Sequence, residues 1–391
     1  MDIGNVKFCV IGAGIGGLAA AIALANKGAD ITVFEQSKSF GEVGAGLQIS
    51  PNGVAVLSEL GVKKAAARFA SAPKAIVLRD YLGAQVTRLG LNGSVGAHPY
   101  WQFHRADLLS VLLDAARNSG VKFVFDHKVI NVVRNGAGAL VEFEGRDGIL
   151  VDCLIAADGV RSTTRSTLFN GQPAEFTGQV AWRGLVSAKH LPKGMFGNET
   201  QIFMGKGRHL VAYPLRGGSV INFVAVKEHQ TWADEGWNIP DTPENLRAAF
   251  SGWCAPVESL LAAVEDTFLW GLFSHPVLPR WSDGQVALLG DACHPMLPFL
   301  AQGAVMGLED AWVLADSLEK SDDIPTALQQ YEDRRKTRAT RVQSAARKNA
   351  WGYHLRMPGL RGIAHMVLRK TPPERLLAKF DWLYGEDVTK G

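Results

Sequence analysis

Residues 6 to 35 read Val6-Lys7-Phe8-Cys9-Val10-Ile11, then Gly12-Ala13-Gly14-Ile15-Gly16-Gly17, an Ala/Leu-rich run from Leu18 to Asn26, Gly28, and Ile31-Thr32-Val33-Phe34-Glu35. An apolar strand, a glycine turn, a helix and a second strand within about thirty residues fit a parallel βαβ crossover. The pattern GxGxxG places glycines at Gly12, Gly14 and Gly17. The first allows a tight turn, the second lets backbone approach a pyrophosphate, and the third lets helix and strand pack closely. Helix N-terminal N–H groups and the helix dipole then favour the phosphate charge. A glycine-rich turn alone is weak evidence. Here it follows a strand, opens a helix, and is answered by Glu35 at the end of the next strand, 18 residues past Gly17. That is where a carboxylate meets a ribose 2′-hydroxyl, and it would repel a 2′-phosphate, so the nucleotide expected is FAD or NAD and not NADP.

Only one such unit is present. Asn135-Gly136-Ala137-Gly138-Ala139 lacks the third glycine and a following helix, which argues against a second dinucleotide domain. Beyond the first unit, Gly53 to Leu60 and Leu108 to Ala116 read as helices, and Val121 to Phe125, Val141 to Phe143 and Cys153 to Ala157 as strands, the last ending at Asp158-Gly159. From about Gln179 to Phe273 the texture changes to alternating strands such as Gln179 to Leu185, His209 to Tyr213 and Val220 to Val226. That is the pattern of an antiparallel sheet with one face on a core. Gln285 to Leu289 returns to parallel-sheet character and ends at Gly290-Asp291, and the chain is mostly helical from Gly303. The expectation is an α/β protein: a Rossmann-type FAD-binding domain over 1–178 and 274–391 with C-terminal helices, and an inserted antiparallel-sheet substrate domain over 179–273.

Bulk properties narrow the function. A chain of 391 residues suits two cores, and 47% hydrophobic with 20% charged residues is the composition of a globular enzyme. A balance of 41 basic to 38 acidic residues, net +3, is too small to suggest nucleic-acid binding. The basic run Arg334 to Lys348 spreads over several helix faces without an aromatic code, so it reads as a solvated helix or a subunit contact. Four scattered cysteines, Cys9, Cys153, Cys254 and Cys293, show no CxxC or His spacing and predict no metal site. With neither a signal-like leader nor an 18-residue apolar window, cytoplasmic location and no integral membrane segment are expected.

Three separated segments resemble the class A flavoprotein monooxygenases, the group of salicylate and hydroxybenzoate hydroxylases, over nearly the whole chain. Besides the glycine turn, Ala157-Asp158-Gly159-Val160-Arg161-Ser162 is similar to the family segment that touches both the FAD pyrophosphate and the transient nicotinamide nucleotide. Gly290-Asp291-Ala292-Cys293-His294-Pro295 resembles the segment whose aspartate holds the ribityl chain, and Pro298-Phe299-Leu300-Ala301-Gln302-Gly303 the loop beside the isoalloxazine, continued by Glu309-Asp310-Ala311. Gly44-Ala45-Gly46 with Pro51-Asn52 resembles the loop at the flavin edge, and His104-Arg105-Ala106-Asp107-Leu108 the segment whose arginine reaches FAD. By this resemblance Arg105, Asp158, Asp291, Gln302 and Gly303 join Gly12, Gly14, Gly17 and Glu35 as cofactor-binding residues, with Pro298 beside the reacting ring.

The chemistry of those residues agrees. Asp158 and Asp291 each follow an apolar strand at its C-terminal end, where ligands of open α/β sheets bind, although Asp-Gly is also a common turn. Arg161 can pair with a phosphate through two N–H groups or remain a solvated arginine. The prolines and Gly303 shape a loop whose N–H groups can face the flavin N1/C2=O end, where negative charge accumulates on reduction. His294 reads as structural. In the second domain His209 and Tyr213, four apart on one strand, share a face. The resemblance to hydroxybenzoate hydroxylases implies that this face meets the substrate, where a base activates a ring hydroxyl; the alternative is a half-buried sheet face. Arg183, in Trp182-Arg183-Gly184, either binds a substrate carboxylate or pairs within the protein.

The activity implied is hydroxylation of an aromatic ring, phenolic and carboxylated, with NADH or NADPH as transient co-substrate and O2 activated as a flavin C4a-hydroperoxide. Same-fold enzymes acting on an N-heterocycle, a purine or a polyketide phenol are the alternative, and a flavin- or NAD-binding regulator the remote one. A monomer or homodimer is expected.

Overall fold

The structure, a computed structural model, describes residues 1–41, 44–91, 96–136, 138–229 and 239–390. Strand Lys7–Ile11 pairs in parallel with Asp30–Phe34 on one side and Cys153–Ala156 on the other. Lys122–Val124 continues the sheet beyond the first and Val286–Leu288 beyond the second, both parallel, and Ser282–Asp283 closes one edge antiparallel. These strands are apolar runs because both faces are covered. Helix Ile15–Ala25 packs between Arg105–Asn118 and Gly303–Lys320 on one side. Strand order reverses direction at Lys7–Ile11, so the turns after Ile11, Phe34, Ala156 and Leu288 open on one crevice, the usual ligand site of such sheets.

The second sheet has eight strands in the order Ile239–Asp241, Thr267–Ser274, Glu175–Ser187, Val220–Glu228, Arg208–Leu215, Thr200–Gly205, Ala75–Asp80 and Gln85–Gly90. Neighbours run antiparallel except Thr200–Gly205 with Ala75–Asp80. The sheet therefore also draws two strands from 75–90, ahead of the 179–273 stretch. Its alternation has two destinations. Val180, Trp182, Phe203, Leu210, Ala212 and Phe223 bury with Phe250 and Trp253 in a core of their own, beneath helices Pro243–Ala249 and Ala255–Ala262. Ala181 and Val226, on the opposite face, join the core of the first sheet.

Asn135 and Gly138 pair across a hairpin between Val129–Asn135 and Gly138–Phe143, with no helix after it; Ala137 lies outside the described residues. Helices Gly303–Lys320, Ile324–Tyr353, Pro358–Lys370, Pro373–Ala378 and Asp381–Tyr384 make the C-terminal part helical. The basic run on Ile324–Tyr353 is not simply solvated. Arg335 is buried between Glu309 and Asp310, Arg338 pairs with Glu309, Arg334 with Asp316, and Arg341 lies 3.9 Å over the Trp382 ring. Several faces carry arginine because several faces have partners.

Candidate active site

At the start of the crevice, Gly12 has φ +93°, and a Cβ there would sit 2.5 Å from the Ala157 carbonyl oxygen. Gly17 is tighter, since its Cβ would fall 2.0 Å from Gly12 O. Gly14 differs: nothing lies within 4 Å of a Cβ built on it, and it precedes helix Ile15–Ala25 with no side-chain cap on the helix N–H groups. Two glycines thus close the fold and the third leaves room for an anion. Glu35 follows strand Asp30–Phe34, its two oxygens accepting the N–H groups of Ala13 at 2.9 Å and Ser37 at 2.8 Å. A carboxylate held this way faces the turn and can still accept sugar hydroxyls.

Asp158 and Asp291 stand after neighbouring parallel strands. Asp158 Oδ2 accepts from the Thr164 N–H and hydroxyl at 3.2 and 3.3 Å, while its buried Oδ1 has no hydrogen-bond partner. Burial raises its carboxyl pKa, against hydrogen bonds from Ser162 and Thr164. Asp291 is open to the crevice yet crowded by protein atoms, and that desolvation raises its carboxyl against His294, Arg105 and Arg165. Arg165 joins the two segments. It donates to the carbonyls of Asp291 and Ala292 at 3.2 and 3.1 Å and to that of Val160. Arg161 is exposed.

Pro298 is exposed at the head of a turn, Pro298–Leu300, that ends on Ala301 in the left-handed conformation (φ +54°, ψ +36°). Gly303 then opens helix Gly303–Lys320, again without a side-chain cap. The Gln302 side chain points inward: its amide donates to Ser50 Oγ at 2.9 Å and its oxygen accepts from Asn52 at 3.3 Å, while Asn52 also donates to Glu309 at 2.7 Å. Gln302 therefore shapes the loop, and the groups left for a ligand are backbone N–H at the helix start. His294 is buried with Nε2 2.5 Å from Asp310 Oδ2. Arg105 begins helix Arg105–Asn118 with its side chain exposed and its Cβ against Gly44.

The roof is the face of the eight-stranded sheet turned toward the first sheet, where His209 and Tyr213 are buried. Register places His209, Val211 and Tyr213 beside Val226, Val224 and Asn222, and Arg183 beside Val224. His209 contacts Phe299 with ring centres 5.5 Å apart, so it lies at the Pro298 turn. Tyr213 lies at the other end of the strand segment, against Gly46, where a Cβ would come within 2.7 Å of its hydroxyl. Arg183 donates to Gly46 O at 3.4 Å and stands 5.1 Å from the Trp270 ring centre, with no carboxylate partner among the described residues. Burial lowers the Arg183 pKa, Tyr213 opposing. Burial pushes the Tyr213 phenol up, against Arg183 and Gln48. His209 is pushed well below 6.5 by burial and by His354, so it is neutral at neutral pH and its titration lies more acidic than a free imidazole's.

Residues 5–346 match the model of the FAD binding domain family. The chain belongs to the class A flavoprotein aromatic hydroxylases. It is 35% identical to 3-amino-4-hydroxybenzoate 2-monooxygenase of Streptomyces platensis, covering 97% of this chain and 96% of that one. It is 33% identical to 3-hydroxybenzoate 6-hydroxylase of Polaromonas naphthalenivorans, covering 98% and 97%. Its fold is similar to that of Klebsiella pneumoniae HpxO complexed with FAD and uric acid, with TM-score 0.86, 30% identity and 96% of each chain covered. As a class A hydroxylase the chain is an FAD-dependent monooxygenase of aromatic rings with NAD(P)H as co-substrate. The crevice fits that cofactor on its own evidence: open space at Gly14, a carboxylate on the turn at Glu35, and an uncapped helix start at Gly303. Among the described residues no helix is long and apolar enough to cross a membrane.

Sequence reasoning missed Arg165, Asn222, Gln48 and His354. Arg165 sits in a short Ser/Thr-rich helix with nothing local to distinguish it from Arg161, and His354 meets His209 across 145 residues. A contact of that separation leaves no local periodicity to read.

Proposed function

We propose that this enzyme hydroxylates a single aromatic ring carrying both a hydroxyl and a carboxylate, with the hydroxyl at His209 and the carboxylate at Tyr213 and Arg183. Four residue steps of strand lead from His209 to Tyr213, roughly 14 Å at about 3.4 Å per residue. That is the span of a benzene ring with a polar group at each end and a hydrogen bond beyond each. The observation supporting the carboxylate end most directly is Arg183, a part-buried guanidinium whose Nε is buried without a hydrogen-bond partner and which has no carboxylate partner among the described residues. A planar guanidinium pairs with a carboxylate through two parallel N–H groups.

FAD would lie along the crevice, its adenosine half at Gly12, Gly14, Gly17 and Glu35, its ribityl chain at Asp291, and its ring beside Pro298 and the N–H groups at Gln302 and Gly303. Arg105 and Asp158 complete this set, Asp158 with a second role toward the nicotinamide nucleotide. When bound, FAD supplies the electrons taken from NAD(P)H and the activation of O2. The protein orients the ring, keeps water out, and takes up the hydroxyl proton at neutral His209, since a phenolate is the better nucleophile. The division into an FAD-binding unit (1–178 and 274–391) and a substrate unit (179–273, joined by the 75–90 strands) belongs to this reading, as do a cytoplasmic location and a monomeric or homodimeric state.

The test is the ratio of hydroxylated product to NAD(P)H consumed. Tyr213→Phe leaves the substrate carboxylate short of one hydrogen bond at about 1–3 kcal/mol, roughly a tenfold to hundredfold loss if that bond holds the ring in place for hydroxylation. NAD(P)H is then spent on H2O2. His209→Ala should uncouple similarly and remove the acid limb of hydroxylation, which in the parent lies well below pH 6.5. Parental coupling in both variants would place the pair in the core and send the search to Arg183.

A further inference from the structure

His209 is not alone at the Pro298 turn. Its Nδ1 lies 2.6 Å from Nε2 of His354, the first residue after helix Ile324–Tyr353, and both side chains are buried. On the far side His354 Nδ1 stands 3.4 Å from Glu228 Oε1. Glu228, at the end of strand Val220–Glu228, accepts from Arg356, and these two are 25% and 61% exposed. A line of titratable groups thus runs from the sheet face to the surface. Its far end is built into the backbone: Gly207 N–H donates to His354 O and Glu228 N–H to Gly207 O, and Gly207 has φ +64° with Glu228 and Arg356 packed where a side chain would stand.

We propose that His354 and Glu228 are positioning residues for His209, fixing its tautomer and carrying the substrate hydroxyl's proton from the buried ring site to the protein surface. The inference rests on the reading of His209 as the group that meets that hydroxyl.

Two imidazole nitrogens 2.6 Å apart share one proton, and it has two possible placements. With the N–H on His209 Nδ1, His354 accepts at Nε2 and carries its own proton on Nδ1, facing the Glu228 carboxylate. The other nitrogen of His209, Nε2, is then a lone pair and acts as a base. In the reverse placement His209 Nε2 holds a proton and cannot accept one, and a bare His354 Nδ1 lone pair faces a carboxylate. Glu228 disfavours that arrangement by charge, since 3.4 Å is long for a hydrogen bond. The remaining neighbours leave the choice to Glu228. Phe299 and Tyr353 present rings to His209, Val226 and Met204 flank it across the strands, Arg208 turns away to the Ala249 carbonyl, and Arg356 is engaged with Glu228. Burial lowers the pKa of both histidines, and Glu228 opposes this at His354, which falls to about 4. Neither imidazole stores the proton, so it passes through.

The step balances as three proton transfers. The substrate O–H bond breaks and an N–H forms at His209 Nε2. The His209 Nδ1–H proton moves to His354 Nε2. The His354 Nδ1–H proton moves to Glu228 Oε1 when that 3.4 Å contact closes to hydrogen-bonding distance, and on to water. No electrons change hands, and the reverse sequence returns the proton to the product oxygen and restores both tautomers.

Two measurements test this on FAD-loaded enzyme. Nitrogen-15 NMR of labelled histidine, assigned with His209→Ala and His354→Gln, should show His209 protonated at Nδ1 and bare at Nε2 at neutral pH; protonation at Nε2 would overturn the proposal without any substrate. With 3-amino-4-hydroxybenzoate as probe, ultraviolet absorbance reads the ionisation of the bound phenol. In His354→Leu it should ionise about tenfold less readily, the product-to-NAD(P)H ratio should fall by about tenfold, and Glu228→Gln should follow in the same direction. His354→Gln, which keeps an acceptor for His209 Nδ1, should recover part of the phenol ionisation. Impairment in His209→Ala with parental behaviour in His354→Leu and Glu228→Gln would refute the relay and leave the base standing. Parental behaviour in His209→Ala would remove both.

Discussion

Asp158 and Asp291 are two carboxylates at the ends of adjacent parallel strands, tied together through Arg165, and they differ in what they already hold. Asp158 spends one oxygen on Thr164 and keeps the other buried without a hydrogen-bond partner, whereas Asp291 faces the open crevice. Asp291→Ala is therefore expected to weaken FAD binding, read by titration of the apoprotein with FAD. Asp158→Ala should in addition slow reduction by NAD(P)H, read by stopped-flow absorbance of the flavin at saturating FAD. Equal reduction rates in Asp158→Ala and the parent would remove its second role. At this scale the sequence showed where ligands meet strand ends but not which arginine braces them. Arg161 and Arg165 look alike in the chain, and only the fold sets Arg165 against the Asp291 and Ala292 carbonyls.

Helices Gly303–Lys320 and Ile324–Tyr353 meet through a buried set of charges that also orients the loop ahead of them. Glu309 takes Arg335 and Arg338 as well as Asn52, and Asp310 takes Arg335, His294 and the Gly290 N–H. Removing one partner from such a set leaves an uncompensated buried charge, so Arg335→Ala should cost about 3–5 kcal/mol in denaturant unfolding and loosen the Gly290 turn. The pH dependence has a definite sign. Burial raises the Asp310 carboxyl, but His294 and Arg335 outweigh it and hold it at about 2, below its ordinary 3.8. Its contribution is present above pH 3.8 and disappears as pH falls through 2. Burial lowers His294, but Asp310 and Cys293 outweigh it and hold it above 6.5, so its contribution is full below 6.5 and lost only as pH rises through the raised value. Thermal melts of the parent should hold from mildly acid to neutral pH and fall below about 4, and a flat profile down to pH 2 would contradict the assignment. From sequence this element reads as a helix with charges on several faces. Pairing to Glu309 and Asp310 is what turns those charges inward, and it becomes visible only once the two helices are docked.

For the whole molecule, the α/β architecture was legible because its signals are local: a glycine turn between strand and helix, apolar runs ending in Asp-Gly and Gly-Asp, and a switch to alternating strands. The strands at 75–90 were not assigned to the second sheet, since they join it by a long-range parallel pairing to Thr200–Gly205. The shared face of His209 and Tyr213 was readable from strand periodicity; its position over the crevice, with His209 at Phe299 and Tyr213 at Gly46, required both sheets in place. On that position rests the proposal that one ring with a hydroxyl and a carboxylate is held between the two ends of this face and hydroxylated. The most direct measurement supplies FAD-loaded enzyme with NAD(P)H, isotopically labelled dioxygen and each of a panel of amino- and hydroxybenzoates, with the decarboxylated phenols, hydroxypyridine acids and urate alongside. For a carboxylated phenol the expected result is close to one product per NAD(P)H with a single labelled oxygen on the ring, and loss of that coupling when the carboxylate is removed. Equal coupling with the decarboxylated phenol, or coupled turnover of urate alone, would contradict it.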